Sequence, residues 1–396
     1  MIRRISFWVR SKDEPEYFAR ASVSYDRCLL PHETREGKKA NNMELKLNFE
    51  NRSCGVSVFL PEGTKPDKKA LDELNRMMEL EHTVECMKEA GSFFKNPDSA
   101  VRKAAVTPDF HKGAGIPIGT VLMTEGFVIP QAMGNDINCG MRLYTTDLKE
   151  EELEGKLSVL LPEIRRIFFE GGRGIAMNGI QREAMLREGL IGLLETSGEA
   201  AGTGIWRFYD REEQELQNAV ENRVHPFDMK LLYDSPHNFI WEKESEGRKS
   251  YIHRKGACSA RGMAEMEGTP FAYYGEPVMI PGSMGSSSYL LRGMGNPDAL
   301  WSASHGAGRR LSRGEAIHGS DREFQEFMKK FHIVTPIDPN RSDLKGRSDI
   351  LKKWEESLRS EAPYAYKDID KVVKVHADHG MAVLVARMEP VFTIKA

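Results

Sequence analysis

Cysteine is scarce in this chain: there are five cysteines among 396 residues, an odd number, and none stands in Cys-x-x-Cys spacing. That scarcity argues against a disulfide framework and paired-cysteine metal sites, and it favours a reducing compartment. Long apolar runs are missing as well, because no stretch approaches the roughly 18 to 20 apolar residues that a membrane helix needs. The N-terminus also lacks the apolar run of a signal peptide. We therefore expect a cytoplasmic protein that makes no membrane contact.

Charge of one sign is also lacking, since the net charge is only −3. Overall electrostatics therefore do not indicate a nucleic-acid-binding protein, and such a role would need a local basic patch. No internal repeat, low-complexity tract or long linker interrupts the chain. Its length and its 40% hydrophobic content suit a large buried core. We expect an N-terminal extension over residues 1–42, followed by one large domain over residues 43–396.

Strand patterns occur in three parts of that domain. Residues 43–60 alternate between apolar and polar side chains, which predicts half-buried strands. Glycine and proline punctuate residues 104–146, which predicts short β pieces such as 119–123 and 126–129. Residues 230–313 read as further short strands that alternate with glycine-containing loops.

Helix patterns lie between and after these strands. The clearest is an amphipathic helix over residues 67–91, for which Asp67 is the predicted N-cap and Gly91 the predicted stop. Together with the strands, the helices predict an α+β fold. Further helices are predicted at residues 149–170, 180–195, 210–222, 324–331 and 349–358.

The segment Trp301–Arg313 holds one histidine, His305, followed closely by Gly306 and Gly308. Glycine lets the backbone approach a ligand because no Cβ stands in the way. Guanidinium groups suit phosphate because they offer a planar, always-charged set of donors. This pattern supplies what a phosphorylated or nucleotidylated histidine needs; the alternative, which we favour on this segment alone, is a glycine turn around a structural histidine, followed by a solvated basic helix. The arginines of the segment are Arg309, Arg310 and Arg313.

Two short segments contain candidate metal ligands. Asp136 and Cys139 stand three residues apart among glycines, so that a carboxylate and a thiolate can share one ion. The alternative is a turn aspartate and a buried cysteine. His237 is a candidate imidazole ligand, and Asn238 beside it is a candidate donor to a phosphate or a base. The alternative here is a capped turn before a strand.

Two further segments suit anion binding. Arg254, Lys255 and Arg261 cluster among small residues, and they form the local basic patch that the overall charge does not provide; the alternative is a solvated charge run. Residues 280–293 supply glycine and serine donors that can surround an anion, although they lack the Gly-Lys-Ser/Thr of a Walker A loop. The alternative for this segment is a flexible surface loop.

Taken together, these segments resemble the RtcB-type RNA ligases, which join RNA ends in tRNA splicing and RNA repair. The matching segments occur in the order of that family and extend from residue 108 to the end of the chain. They are Pro-Asp-Phe-His-Lys-Gly (108–113), Gly-Asn-Asp-Ile-Asn-Cys-Gly-Met (134–141), His-Asn-Phe (237–239), Arg-Lys-Gly-Ala (254–257), Pro-Gly-Ser-Met-Gly-Ser-Ser-Ser-Tyr (281–289), Ser-His-Gly-Ala-Gly-Arg (304–309), Ala-Tyr-Lys-Asp-Ile-Asp (365–370) and Ile-Lys-Ala (394–396).

The resemblance implies a single large α+β domain with a central metal and nucleotide cleft. It implies GTP and one or two Mn²⁺ ions as cofactors, and His305 as the nucleophile that takes GMP from GTP. The GMP then activates an RNA 3′-phosphate, which an RNA 5′-hydroxyl attacks to seal the strand; a 2′,3′-cyclic phosphate is first opened to the 3′-phosphate. RNA and GTP are thus the implied partners, together with an activating protein.

The resemblance also assigns roles to individual residues. It implies Asp136, Cys139 and His237 as metal ligands. Phosphates of RNA or GTP are the implied targets of Arg261, Arg309 and Arg313. The implied nucleotide contacts are His237, Asn238, Pro281, Gly282, Ser283, Met284, Ser288, His305, Gly306, Ala307, Gly308 and Lys395.

One departure from the family pattern affects the metal site. The family carries two more metal-binding histidines between its Asp-Cys and His-Asn motifs, but residues 142–236 contain only His225, in an unrelated context. Glu199, Asp210 and His225 stay open as substitutes. Two alternatives to the ligase therefore stand beside it: a nucleotidyltransferase of the same fold with another acceptor, and a non-catalytic protein that binds RNA ends.

Overall fold

The computed structural model describes residues 4–9, 54–170, 179–188 and 230–395, except for residues 92, 95, 147, 154, 182, 185 and 246 within those ranges. Helical residues lie between 179 and 188, and short 3₁₀ helices occupy Pro130–Met133, Ala264–Met266, Ser342–Leu344 and Pro363–Ala365. The α-helices are α1 (Lys68–Met78), α2 (Leu80–Glu89), α3 (Glu150–Leu153), α4 (Leu157–Phe169), α5 (Arg313–Ile317), α6 (Asp321–Lys330), α7 (Ser348–Arg359) and α8 (Ile369–Asp378).

The described strands outnumber these helices and are mostly antiparallel. They are β1 (Arg4–Val9), β2 (Gly55–Val58), β3 (Ala100–Ala114), β4 (Ile116–Glu125), β5 (Gly140–Thr145), β6 (Lys230–Pro236), β7 (Asn238–Ser245), β8 (Arg248–Lys255), β9 (Ala257–Ser259), β10 (Pro277–Ile280), β11 (Ser288–Gly293), β12 (Ser302–Ser304), β13 (His332–Val334) and β14 (Ala382–Lys395). The predicted α+β class is confirmed.

The strands form two larger sheets and two small ones. One five-stranded sheet has the order β2-β3-β4-β8-β7, in which only β2 and β3 run parallel. The other has the order β1-β14-β11-β10, and β13 lies parallel to β14. Two small pairs, β5 with β6 and β9 with β12, complete the set. The β9–β12 pair carries two of the segments that the sequence singled out.

Apolar side chains pack these elements together in several clusters. Leu74 and Met78 of α1 pack with Val106 of β3 and Leu122 of β4. Burying such side chains contributes about 1.5 to 3 kcal/mol each. A second cluster joins β9 and β12 to β10, β11 and α8 through Cys258, Ala303, Ile280, Leu291 and Val372. The segment before His305 is thus fixed in the core.

Helix prediction was correct at the start of α1 and wrong in its length. The Asp67 side chain accepts a hydrogen bond from the Lys69 backbone and caps the helix, as predicted. The predicted single helix is two helices, because the chain tightens at Glu79, whose backbone N–H bonds to the carbonyls of both Asn75 and Arg76. Gly91, at φ 71°, lies just beyond the end of α2.

The prediction of short β pieces between residues 104 and 146 was correct for the six-residue β5 and wrong for the two strands before it, although β4 does contain residues 119–123. β3 runs for 15 residues and β4 for 10. Register shifts along the β3–β4 pair take up the proline and glycine residues that suggested interruptions. Residues 126–129 form no strand, because Gly126 turns the chain at φ 78°.

The predicted extension and the remaining helices are described only in part. Residues 4–9 form β1, which pairs antiparallel with the last residues of β14. The rest of residues 1–42 and the predicted helix at 210–222 lie outside the described residues. Within the ranges that the structure describes, no helix combines the length and apolarity needed to cross a membrane.

Candidate active site

His305 follows directly after β12, and a strained turn precedes that strand. Leu300 and Trp301 both have φ of 51°, a conformation that costs non-glycine residues about 1 to 3 kcal/mol each. The buried Arg254 side chain supports the turn: it donates to the Trp301 carbonyl over 3.1 Å and to the Ser302 hydroxyl over 2.8 Å. The core thereby sets where the backbone delivers His305.

Asp109 of β3 is the closest polar partner of the His305 imidazole. The distance from His305 Nδ1 to Asp109 Oδ2 is 2.5 Å, and the His305 backbone N–H donates to the same oxygen over 3.2 Å. The Thr107 hydroxyl donates to the other carboxylate oxygen over 2.6 Å. Asp109 is completely buried. Both of its oxygens therefore have partners, and the carboxylate has a fixed orientation.

Each of the two groups shifts the pKa of the other towards its charged form. Burial would raise the pKa of Asp109, but the charge and hydrogen bond of His305, with the bond from Thr107, lower it well below its usual range. Burial would lower the pKa of His305, but the Asp109 charge and hydrogen bond, with a Gly256 backbone bond, raise it above its usual value. An ionised carboxylate can only accept, so Nδ1 carries the proton, and in neutral His305 the lone pair lies on Nε2.

Two more imidazoles lie beside His305. The His111 ring stacks at a centroid distance of 6.3 Å, and the His237 ring lies tilted at 4.9 Å. Burial is the largest cause that lowers the pKa of His111 to about 4 and that of His237 to about 3, and the neighbouring His305 lowers both further. Both rings are therefore neutral near pH 7, which keeps two positive charges away from the His305 imidazole.

Close backbone approaches join four of the sequence motifs at this point. A Cβ at Gly308 would lie 2.3 Å from the Asp109 carbonyl oxygen. A Cβ at Gly256 would lie 3.2 Å from Cε1 of His305, and one at Gly306 would lie 3.4 Å from the Pro281 carbonyl oxygen. Gly308 is thus needed for packing one backbone against another, while Gly256 leaves room for the Ile118 and His305 side chains.

Backbone contacts also bring the two predicted metal-ligand segments together. The His237 N–H donates to the Cys139 carbonyl over 2.8 Å. The Asn238 side chain donates to the Asp136 carbonyl over 2.9 Å and accepts from the Gly256 N–H over 2.8 Å. Asn238 therefore ties the Asp136–Cys139 turn to the strand that precedes Gly256.

The residues present fit a metal ion only in part. Nδ1 of His237 is buried and has no hydrogen-bond partner, and a neutral imidazole with an unused lone pair is a suitable ligand. Asp136 and Cys139 supply the carboxylate and thiol chemistry nearby. However, across the described ranges no group of three or more His, Cys, Asp or Glu side chains is arranged to hold an ion. Glu199, Asp210 and His225, the open substitutes, lie outside the described residues.

The predicted nucleotide-binding residues occupy several different environments. The Gly282 N–H donates to the Ser288 hydroxyl over 3.0 Å, and the Ser283 and Ser286 hydroxyls lie 2.8 Å apart. Met284 and Ala307 are buried in apolar clusters, so they can offer only backbone groups to a ligand. Lys395 lies at the end of β14, where its ammonium group donates to the Ser357 hydroxyl over 2.8 Å.

The arginines that the sequence singled out are mostly engaged with protein groups. Arg261 forms two hydrogen bonds of 3.0 Å with the buried Glu276 carboxylate. Arg309 and Arg313 both pair with Glu361, each over 3.2 Å. Arg254, which the sequence suggested as part of a basic surface patch, is fully buried. That expectation was therefore wrong for Arg254.

A cleft of about 1400 Å³ opens beside the site. His111, whose ring stacks on His305, lines it together with Phe110 and Ser283. Four carboxylates on its walls, Asp67, Glu315, Glu323 and Asp368, are outnumbered two to one by cations. The cationic side chains are Lys65, Lys69, Lys112, Arg309, Arg310, Arg313, Lys367 and Lys371.

Sequence reasoning gave no role to Asp109, Thr107 or His111. The segment 108–113 was noted as a match to the family, but no role was given to its side chains, and an aspartate next to a proline is ordinary in a turn. Asp109 and His305 are 196 residues apart. The available signal was indirect: a histidine nucleophile needs a group that holds its other ring nitrogen.

The comparisons with known proteins indicate one family. A family model described as tRNA-splicing ligase RtcB matches residues 94–202 and 207–396. A protein of that name from Nanoarchaeum equitans is 35% identical over 191 residues, which cover 46% of this chain and 36% of the relative. One from Pyrobaculum aerophilum is 24% identical over 442 aligned positions, which cover 74% of this chain and 88% of the relative. One from Pyrococcus horikoshii is 38% identical over 177 residues, which cover 42% of this chain and 18% of the relative. The chain thus spans well under half of two of these three relatives.

Proposed function

This chain belongs to the RtcB family of tRNA-splicing ligases, and from that premise we propose that it joins RNA 3′-phosphate or 2′,3′-cyclic phosphate ends to RNA 5′-hydroxyl ends. The proposed intermediate is GMP bound covalently to His305. The observation that carries the proposal is the hydrogen bond between His305 Nδ1 and the buried Asp109 carboxylate. It orients the imidazole and leaves the Nε2 lone pair of the neutral ring available to attack phosphorus.

The proposed first step is nucleophilic substitution at the α-phosphorus of GTP. Nε2 of His305 forms the new P–N bond, and pyrophosphate leaves with the electrons of the broken P–O bond. The imidazole becomes positively charged as the bond forms, and the Asp109 carboxylate stabilises that charge across Nδ1–H. Asp109 therefore acts by orientation and electrostatics and stays ionised throughout.

The later steps transfer GMP onto the RNA and then release it. An oxygen of the RNA 3′-phosphate attacks the phosphorus of the His305-bound GMP, and the P–N bond breaks with the electron pair returning to Nε2. The RNA 5′-hydroxyl then attacks the activated 3′-phosphate, loses its proton and displaces GMP. His305 thereby returns to its starting state.

The nucleotide is proposed to lie against the loops that meet at His305. These are the Gly306–Gly308 turn and the Pro281–Ser288 loop, which lie close to each other. His237 and Asn238 border the same position. The structure supports this placement through the contact between Gly306 and Pro281.

Manganese is the proposed metal, with Asp136, Cys139 and His237 as its ligands from the described residues. The buried Nδ1 of His237 supports this assignment, since it lacks a hydrogen-bond partner. Such an ion would neutralise phosphate charge at the nucleotide. The remaining coordination positions would fall to water or to residues outside the described ranges.

The basic cleft is the proposed path for the RNA strand that carries the 3′-phosphate. Its excess of cations suits a polyanion, and its wall reaches His111 beside the nucleophile. Electrostatic contacts of this kind bind the phosphate backbone without reading its sequence. An activating protein partner is part of the same proposal.

A second candidate function is binding of RNA ends without catalysis. The observation that favours it is the absence of a three-ligand metal group among the described residues. A nucleotidyltransferase with another acceptor is intermediate between the two. Metal analysis of the purified protein separates the RNA-binding candidate from the two enzymes, because a protein that only binds RNA needs no manganese.

The ligase proposal is tested with short RNAs of defined ends, GTP and Mn²⁺. We expect joining of a 3′-phosphate RNA to a 5′-hydroxyl RNA by the wild type, and none by His305→Ala. RNAs with 3′-hydroxyl and 5′-phosphate ends should stay separate. Joining that needs a 5′-phosphate, or that survives in His305→Ala, would contradict the proposal.

A further inference from the structure

Lys367 is a half-buried lysine that contacts both the strand of Asp109 and the loop of His305. Its ammonium group donates to the Pro108 carbonyl over 3.2 Å and to the Phe110 carbonyl, the two carbonyls that flank Asp109 in β3. Its own backbone N–H donates to the Gly308 carbonyl over 3.0 Å. One residue therefore links the strand that carries the carboxylate to the loop that carries the nucleophile.

The other contacts of Asp109 leave little freedom once Lys367 is in place. Nδ1 of His111 lies 2.7 Å from the Asp109 carbonyl oxygen, and the Asp109 N–H donates to the Ser304 hydroxyl over 3.3 Å. The Gly308 backbone lies directly against that carbonyl, where a Cβ would come within 2.3 Å. The three successive carbonyls of residues 108–110 are thus each in contact with a side chain, and Lys367 makes two of these three contacts.

Burying an ammonium group is costly unless its hydrogen bonds are satisfied. Burial lowers the pKa of Lys367 to about 8, while the nearby Asp109 carboxylate acts to raise it. A lysine held in such a place is either needed for its charge or needed for its contacts. Because its donors point to the carbonyls beside Asp109, the contacts are the more direct explanation.

We propose that Lys367 is a positioning residue for the nucleophile: by clamping the Pro108 and Phe110 carbonyls against the Gly308 loop, it holds the Asp109 carboxylate in hydrogen-bond contact with His305. It acts through Asp109 and makes no bond to the reacting atoms. The proposal rests on the proposed function in taking His305 as the nucleophile. The clamp itself is a property of the folded protein and can be observed without GTP.

The first test is therefore spectroscopic. In the full-length protein labelled with ¹⁵N-histidine, the Nδ1 proton of His305 should give a resolved downfield NMR resonance, because it is shared with a carboxylate and shielded from exchange. Asp109→Asn and His305→Gln identify the signal by moving or removing it. We expect Lys367→Met to broaden it or shift it upfield, and Lys367→Arg, which keeps the donors, to retain it in part.

Two controls make this test specific. Lys374→Met removes an exposed lysine of the same helix region, one that pairs with Asp378, and should leave the resonance unchanged. The buried His253, which bonds to Leu122 and Ile129, reports on the fold in every variant. If Lys367→Met disturbs the His253 resonance as well, the His305 resonance of Lys367→Arg is compared with that of the wild type instead. An unchanged His305 resonance in a folded Lys367→Met protein would overturn the proposal.

The second test uses the rate of GMP transfer to the protein. We expect Lys367→Met to lower the labelling rate at saturating GTP by about tenfold to a hundredfold, with little change in the GTP concentration that gives half the maximum. In an Asp109→Asn background the same substitution should have almost no further effect. Additive losses would contradict action through Asp109. A wild type that shows the resonance but takes no label would refute the proposed function and leave the clamp standing.

Discussion

At the scale of single residues, one pair is central to the proposed chemistry: the buried Asp109 carboxylate and the His305 imidazole. Their contact explains why a histidine with a raised pKa can still be a nucleophile. The same carboxylate that favours the protonated ring in the resting protein also stabilises the positive charge that forms during attack on phosphorus. The gain appears only after the ring has lost its proton from Nε2, so the rate must depend on pH.

That dependence gives a prediction for Asp109→Asn. In the wild type, labelling with GMP should rise with pH until it passes the raised pKa of His305, because only the unprotonated Nε2 attacks. Asparagine removes the charge that raises this pKa, so the rise should move to lower pH. The plateau should nevertheless fall by about 10²- to 10⁴-fold, because the developing positive charge loses its partner. The measurement is the labelling rate between pH 5 and pH 9.

The matched control for this variant is Asp343→Asn, which removes an exposed carboxylate paired with Arg341. It should leave both the plateau and its pH dependence as in the wild type. A pH profile that stays in place in Asp109→Asn, with only a lower plateau, would show that Asp109 does not set the pKa of His305.

At the scale of elements, the glycine turn after β12 brings the nucleophile loop against β3. Gly308 has φ of 72°, and its backbone lies against the Asp109 carbonyl. The strained turn at Leu300 and Trp301 enters the same strand from its other end. Backbone geometry on both sides of β12, fixed by core packing, therefore determines the position of His305.

Gly308→Ala tests the role of this turn. The new Cβ would fall 2.3 Å from the backbone carbonyl oxygen of Asp109, and alanine would have to adopt the left-handed conformation of Gly308. We expect the free energy of unfolding to fall by about 1 to 3 kcal/mol, and labelling of His305 to fall by about 10²-fold as the pair separates. Chemical denaturation and the labelling assay measure the two effects on the same preparation.

The control is Gly314→Ala in α5, where a Cβ would meet nothing within 4 Å. Alanine is the better helix former, so stability should stay equal or rise by up to about 1 kcal/mol. Full labelling by Gly308→Ala would mean that the close approach of the two backbones is not needed for the reaction.

Local sequence signals predicted the elements better than their lengths or their meeting points. The Asp67 cap and the α+β class followed from short-range patterns. The 15-residue length of β3 did not, because bulges absorb its proline and glycines. His305 could be named from its own motif, whereas Asp109 could not, because their contact is a product of the tertiary fold.

At the scale of the whole molecule, charge is distributed unevenly. The net charge of −3 gives no sign of nucleic-acid binding, yet eight cationic side chains face four carboxylates on the walls of the cleft. Lys69 of α1 lies far in the sequence from the motifs around His305, whereas Lys112 belongs to the segment that carries Asp109 and His111. The basic surface that the sequence placed at residues 254–261 is thus built from other segments.

Lys69→Gln and Lys112→Gln test the cleft as an RNA path. Each substitution should weaken binding of single-stranded RNA, and should lower the slope of log Kd against log salt by about 0.7 for each phosphate that the protein no longer neutralises. Labelling with GMP should stay unchanged, because that step needs no RNA. Fluorescence anisotropy at several salt concentrations measures the slope.

The control here is Lys352→Gln, an exposed position of α7 outside the cleft, which should bind RNA as the wild type does. Equally weakened binding in all three variants would indicate general attraction to the protein surface, with no preference for the cleft.

The most direct test of the central claim is incubation with α-labelled GTP and Mn²⁺, followed by denaturing electrophoresis of the wild type and His305→Ala. We predict label on the wild type only, in a linkage that acid breaks and base leaves intact, as a phosphoramidate requires. Circular dichroism of His305→Ala should confirm that the variant is folded. Equal label on both proteins, or none on the wild type with GTP across several divalent metals, would contradict the role of His305 as a nucleophile.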